Sequence, residues 1–320
     1  MNLAQLRVLG QSACTVARMP KIPDQTGRRI VVTGANSGTG KETATRLAEA
    51  GASVVLAVRT PSKGDAAAAS IRQAHPGADV EVRELDLADL SSVRRFAAGI
   101  VDEDRPLDVL VNNAGVMIPP KRFETVDGFE LQFGTNFLGP FALTNLVMPA
   151  LLRASSPRVA TMSSLAAIPG RIRFDDLQWL RGYSPWRAYA QSKLADLLLS
   201  LHLHTLSVEL DWPLVSTAAH PGYTRTNLQS SGRSLGRSRP VSSKQRAWPF
   251  TQDVAQGSEP LLYAAVGPNA VGGAYYGPSG MFGMVGPTTN APIPRSARSP
   301  ELARSLWAVA EDLTGTHLPA

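Results

Sequence analysis

One cysteine, Cys14, in 320 residues leaves no partner for an intramolecular disulfide and no thiolate cluster for a metal. Charged residues are scarce, at 18% against 43% hydrophobic, which excludes the low-hydrophobicity, high-charge composition of a disordered chain. No apolar run is read as reaching the roughly 20 residues a bilayer span needs, so no membrane span is expected. The first residues carry Arg7 and Arg18 without a compact apolar stretch and small-residue cleavage site; the expectation is a cytoplasmic protein. His202 and His204 stand two apart on a helical pattern and diverge, so they make a poor metal pair, and no metal site is expected. The net charge of +6 is modest, and part of it is local: Arg233, Arg237, Arg239, Lys244 and Arg246 share a Ser/Gly-rich stretch. No helix-turn-helix or aromatic stacking pattern accompanies these cations, so nucleic acid is not an expected partner.

What the chain does have is a regular alternation of apolar strands and helical patterns. Strands are expected at 29–33, 53–58, 79–83, 107–111, 158–162 and 214–219, with a short last one near 273–276. Helices are expected from the glycine-rich turn to about Ala50, over 61–74, 90–104 and 188–209, and over 129–152 with an interruption near Gly139-Pro140. That alternation implies a single-domain α/β fold, a doubly wound parallel sheet with helices on both faces. Residues 1–26 read as an N-terminal extension, 27–280 as a catalytic domain with an irregular loop at 229–250, and 281–320 as a tail. Ser299-Pro-Glu-Leu302 reads as a helix start, Ser as N-cap and Pro at the first helical position, opening a helix over 300–314. Leu302, Leu306 and Val309 would face the body.

Two motifs carry chemistry. Between the first strand and its helix lies Thr33-Gly34-Ala-Asn36-Ser37-Gly38-Thr39-Gly40. Glycines there let the backbone turn sharply toward a pyrophosphate, and the helix start offers unpaired N–H groups and a positive dipole end. After the second strand, where a carboxylate would bond a free ribose hydroxyl, stands Arg59, and no carboxylate follows until Asp65. A cation suits the 2′-phosphate of NADP(H), which is therefore expected ahead of NAD(H). The second motif is Tyr189-Ala-Gln-Ser-Lys193. Four residues apart, the phenol and ammonium share a helix face. A neighbouring ammonium favours phenolate and makes the tyrosine a usable proton donor and acceptor.

These motifs, with Leu85-Asp86-Leu87, Asn112-Asn-Ala114-Gly115, Asn136, Ser163-Ser164 and His220-Pro221-Gly222-Tyr-Thr224-Arg-Thr226, stand in an order that resembles the short-chain dehydrogenase/reductase family over about residues 27–280. Asn136-Phe-Leu-Gly139, Ser163-Ser-Leu-Ala-Ala167 and the long apolar insert between Ser164 and Tyr189, with Ile172, Phe174, Leu177 and Trp179, resemble its retinol-dehydrogenase-like branch. The resemblance implies an oxidoreductase that transfers a hydride between a nicotinamide and a lipophilic or ring-containing small-molecule carbonyl or alcohol. It implies roles as well. Tyr189 would be the acid/base, Lys193 would tune it and hold the nicotinamide ribose, and Ser164 would bond the substrate oxygen. Asn136 would hold a water near Lys193. Asp86 would contact the adenine, and Asn112 would line the cofactor cleft. Pro221, Gly222 and Thr224 or Thr226 would lie beside the carboxamide. A homodimer through the helices carrying Asn136 and Tyr189 is a further expectation. Met281, Phe282 and Met284, with the basic loop, are expected to shape the substrate pocket. Two other readings use the same fold: a non-catalytic dinucleotide-binding sensor or scaffold, and a carbon–carbon double-bond reductase like the light-dependent protochlorophyllide reductases. The position of Cys14 outside the core speaks against the latter.

Overall fold

A computed structural model describes residues 21–226, 228–237 and 250–319. Cys14, Arg7, Arg18, Arg239, Lys244 and Arg246 lie outside the described residues, and so do most of the expected N-terminal extension and 238–249 of the basic loop. Eight strands form one sheet: β1 Arg29–Thr33, β2 Ser53–Val58, β3 Val80–Glu84, β4 Val109–Asn112, β5 Arg158–Met162, β6 Val215–Ala219, β7 Tyr275–Pro278 and β8 Thr288–Asn290. The helices that cover it are α1 Gly38–Glu49, α2 Pro61–Ala74, α3 Leu90–Asp102, α4 Leu131–Leu152, α5 Pro185–Glu209, α6 Val254–Val266 and α7 Pro300–Thr314.

Alternate residues of each inner strand feed different cores, as a period of two requires. Val31, Val55 and Ala57 join α3, α4, α5 and α7 on one face. Ile30, Val32, Val54, Leu56 and Val58 join α1, α2 and α6 on the other. Burial on both faces explains why β1 and β2 read as unbroken apolar runs. The strand order is β3-β2-β1-β4-β5-β6-β7-β8, with β8 alone antiparallel. Between β1 and β4 the winding reverses, which leaves a crevice beyond the carboxyl ends of the strands.

α4 is mostly apolar because most of its surface is buried. Its rings of Phe133, Phe137 and Phe141 recur every four residues, with centroids 5.2 and 6.0 Å apart, and Phe141 meets Trp307 of α7 edge-on at 4.8 Å. Each such ring contributes about 2 kcal/mol by leaving water. Against the expectation from the sequence, α4 is long and apolar enough to cross a membrane, but 78% of that window is buried inside the fold.

The interruption expected at Gly139-Pro140 lies just before it. Gly134–Leu138 is a π-helical stretch within a continuous helix. α6 and β8 were not anticipated. β8 and α7 also tie the expected tail, 281–320, into the same sheet and core. α7 begins as expected, with the Ser299 hydroxyl accepting from Leu302 N at 3.1 Å, and ends at Gly315 with φ 57°. Its buried face is Ala303, Leu306, Trp307 and Ala310, while Leu302 and Val309 are only half-buried.

Candidate active site

The loops leaving β1, β4, β5 and β6 meet at one end of the sheet around a cavity of about 180 Å³. The glycine-rich turn forms one wall. Gly34 has φ 67°, and a Cβ on it would sit 3.0 Å from Ala114 Cα. A Cβ on Gly40 would sit 2.4 Å from Asn113 Nδ2 and 2.5 Å from the Gly34 carbonyl oxygen. The turn is braced from β4: Asn113 Nδ2 donates to Thr33 O at 2.9 Å, and Thr39 Oγ1 donates to Asn113 Oδ1 at 2.9 Å. Thr33 Oγ1 accepts from the backbone N–H groups of Asn113 and Ala114 at 2.9 and 3.0 Å. At the start of α1, the side chain of the N-cap Ser37 makes no capping bond, and no acidic residue stands in the first turn. The helix therefore presents open N–H donors and its positive end, which fit a dinucleotide phosphate.

Opposite lie Ser164, Tyr189 and Lys193, all lining the cavity. Ser164 follows β5, its hydroxyl accepts from Ala166 N at 3.2 Å, and it lines the cavity that Tyr189 also lines. Ser163 also lines the cavity, but its hydroxyl is engaged, donating to the Lys193 carbonyl oxygen at 2.7 Å. Burial pushes the Tyr189 pKa up, while Lys193 and Ser164 pull it down and Asp196 pushes it up again. The net direction is upward, so burial outweighs the acidifying ammonium expected from the sequence. For Lys193, burial disfavours the charge, but Asp196 and Tyr189 more than restore it. Its Nζ donates to Met162 O at 3.0 Å and to Asp196 Oδ2 at 2.8 Å.

Asn136 sits inside the π-helical stretch, where such segments often mark function. Its Oδ1 accepts from Val116 N at 2.7 Å, and its Nδ2 donates to Val116 O at 3.0 Å and to Ser192 Oγ at 2.9 Å. The side chain thus clamps the loop after β4 to α5. A Cβ on Gly115 would lie 3.2 Å from Asn136 Oδ1 and 3.8 Å from Lys193 Nζ, so the two residues adjoin beneath Gly115. Pro140, four residues on, has no N–H to give the Asn136 carbonyl.

Other expected residues are distributed unevenly. Gly115, Pro221, Gly222, Thr224 and Thr226 line the cavity, and Thr226 Cβ would be 3.6 Å from a Cβ on Gly38. Arg59 is exposed at the end of β2, and Asn36 is half-buried. Asp86 Oδ1 accepts from Ala88 N at 2.9 Å, and Leu87 packs its backbone against Gly139 of α4. The Asn112 side chain does not face the cleft: it donates to Thr144 Oγ1 at 3.0 Å in the interior, and Asn113 lines the cavity instead. In a strand, successive side chains point to opposite faces, so one step exchanges core for cleft. Met281, Phe282 and Met284 do not line the cavity, nor do Ile172, Phe174, Leu177 and Trp179 of the insert between Ser164 and Tyr189; Trp179 is buried with the Arg173 guanidinium 4.5 Å from its ring centre. The apolar wall is instead Met117, Leu165, Ala166, Trp186 and Leu228. Of these, Leu165 and Ala166 belong to the Ser163-Ser-Leu-Ala-Ala167 motif and Trp186 stands three residues before Tyr189.

The family model described as short chain dehydrogenase matches residues 28–234. The chain belongs to that family. Among curated relatives, it is 39% identical to human (Homo sapiens) retinol dehydrogenase 13, over 100% of this chain and 94% of that protein. It is 40% identical to mouse (Mus musculus) polyprenol dehydrogenase, over 93% of this chain and 87% of that protein. Its place is therefore in the retinol-dehydrogenase-like branch of the short-chain dehydrogenases, and it is an oxidoreductase acting on CH–OH groups with a nicotinamide dinucleotide. Among solved structures, an uncharacterized protein from Mycobacterium paratuberculosis superposes with a TM-score of 0.78 at 43% identity, covering 96% of this chain and 100% of that one. A short-chain dehydrogenase from Escherichia coli CFT073, complexed with NADPH, matches with a TM-score of 0.55 at 27% identity, over 69% of this chain and 86% of that one.

Proposed function

We propose that this short-chain dehydrogenase interconverts a lipophilic alcohol and its carbonyl with NADP(H), using Tyr189 as the acid/base. The observation that carries the reading is the meeting of Ser164, Tyr189 and Lys193 in one cavity with the glycine-rich turn. NADP(H) supplies or accepts the hydride when bound. The chain's own residues handle the proton and the oxygen. Ser164 Oγ donates a hydrogen bond to the substrate oxygen and stabilises the charge that develops there. Tyr189 Oη gives that oxygen its proton in reduction and takes it back in oxidation. Lys193 holds the phenol's charge in check and the ribose in place. Arg59 favours a 2′-phosphate over a free hydroxyl, because an exposed guanidinium can bond phosphate oxygens in pairs. The apolar surface of Met117, Leu165 and Trp186 suits an isoprenoid-like or ring-bearing substrate, the class that the relatives' names denote.

A panel of alcohols and carbonyls with NADP⁺ and NADPH tests this by nicotinamide absorbance. Turnover should be best on long-chain or ring-bearing substrates, and Tyr189→Phe should lower it by about 10²–10⁴-fold while leaving cofactor binding intact. Normal turnover by Tyr189→Phe would refute the mechanism, and a preference for short polar alcohols would refute the substrate class.

A further inference from the structure

The helix face that carries Tyr189 and Lys193 carries a third ionisable group. Asp196 stands three residues beyond Lys193, within one turn of it. Its Oδ2 lies 2.8 Å from Lys193 Nζ, with the two side chains only 2% and 4% exposed. Its other oxygen, Oδ1, is buried without a hydrogen-bond partner among the described residues. An ammonium has three donors. Met162 O and Asp196 Oδ2 occupy two of them, leaving one N–H for the side of the cavity where Tyr189 stands. A buried ion pair is weak evidence for stability, since its desolvation offsets most of its attraction. Placed inside a proton-transfer site, this one has a second consequence. A carboxylate beside an ammonium cancels much of the field that the ammonium exerts on its neighbours.

We propose that Asp196 is a positioning residue that acts through Lys193: it pins the ammonium against the Met162 carbonyl, offsets its charge, and so sets the pH at which Tyr189 exchanges its proton. The inference rests on the reading of Tyr189 as the acid/base. The groups facing Asp196 support it. Lys193 and Tyr189 come from its own helix, α5. From β7 comes Tyr275, whose phenol donates to the Ser164 carbonyl at 3.2 Å and whose pKa is pushed up chiefly by burial, with the Asp196 charge a smaller push in the same direction. Behind Tyr275, the His220 ring packs at 5.0 Å, tilted by 50°, and is kept neutral by burial. Burial pushes the Asp196 carboxyl upward and Lys193 pulls it back, with a net rise. Asp196 pushes Tyr189 in the same upward direction as burial does.

Asp196→Asn keeps the size and an acceptor for Lys193 while removing the charge. The acid limb of the alcohol-oxidation pH profile should then move to lower pH by about one unit or more, the size of effect one nearby charge produces. The NADP⁺ dissociation constant should change little. Asp196→Glu, which restores the charge, should bring the limb back toward its original pH. An active Asp196→Asn with an unshifted limb, or one shifted to higher pH, overturns the proposal. If the asparagine variant does not fold, Asp196→Ser, which also removes the charge, should move the limb in the same direction, and an unshifted limb in that variant overturns the proposal. The two readings fail separately. Normal turnover by Tyr189→Phe defeats the acid/base assignment, whereas an inactive Tyr189→Phe with an unshifted Asp196→Asn profile defeats only the role of Asp196.

Discussion

At the scale of single residues, cofactor choice and turn geometry give the sharpest expectations. Arg59 is exposed and stands where the chain leaves β2. Arg59→Ala should raise KM for NADPH by about tenfold or more, the worth of one charge-assisted bond, and change KM for NADH little. Equal effects on both would remove Arg59 as the discriminator. Gly40 is a different case, because its contact is with backbone. A Cβ there meets the Gly34 carbonyl oxygen at 2.5 Å, which cannot swing aside as a side chain could. Gly40→Ala should cost about 1–3 kcal/mol of stability, seen in a urea melt, and should weaken dinucleotide binding in a fluorescence titration. Tyr189, Lys193 and the glycine turn were legible in the sequence because each rests on local spacing. Asn113 was not, since Asn112 and Asn113 are chemically identical and only the strand's facing separates them. Asp196 carried a usable signal, a carboxylate three residues after a lysine on one helix. It passed unread because spacing alone does not show that the pair is buried.

At the scale of elements, the strands with two buried faces and the helices with terminal caps were legible, and the irregular or late ones were not. β1, β2 and β5 are unbroken apolar runs bounded by turn residues, and α7 opens on a Ser-Pro cap. α6 escaped because Pro260 lies inside it and reads as a breaker, although the cap at Asp253, accepting from Gln256 N at 2.8 Å, is regular. β8 is three residues long and gains its place only by pairing antiparallel with β7. The π-helical stretch in α4 has no periodic signature at all. α7 shows what a distant element contributes. Trp307 is 6% exposed and touches Phe141 and His202 at 4.8 and 5.3 Å, locking the last helix onto the two that carry Asn136 and Tyr189. Trp307→Ala should destabilise the protein by about 3–5 kcal/mol, as large-to-small core changes do. A denaturant midpoint checks this, and a change within about 0.5 kcal/mol would show that α7 is not part of the cooperative core.

At the scale of the whole molecule, two buried ionisable groups pull stability in opposite directions with pH. His220 joins β6 to β7. It is 2% exposed, a Cβ on Gly277 would lie 1.9 Å from its Nε2, and burial pushes its pKa from 6.5 down to about 4. Between those values the unfolded chain binds a proton that the native protein refuses, so stability rises with pH there. The contribution is full above the unfolded value of 6.5 and is lost as pH falls toward 4. Asp196 behaves in reverse. Its native pKa is raised, so above the unfolded value of 3.8 the native state holds a proton that the unfolded state has given up, and its contribution declines as pH rises. The His220 effect is the one a variant can isolate, since it does not belong to a tight ion pair. Between about pH 7 and about pH 5 it should cost the wild-type protein roughly 2 kcal/mol, at about 1.4 kcal/mol per unit below the unfolded value. His220→Asn leaves a cavity that lowers stability at both pH values alike, so the difference between the two differences reads titration alone. Urea unfolding should show the acid loss shrinking by roughly 2 kcal/mol in the variant. If wild type and variant lose the same amount, His220 is not held neutral in the folded state, and the junction of β6 and β7 must admit either a charge or water.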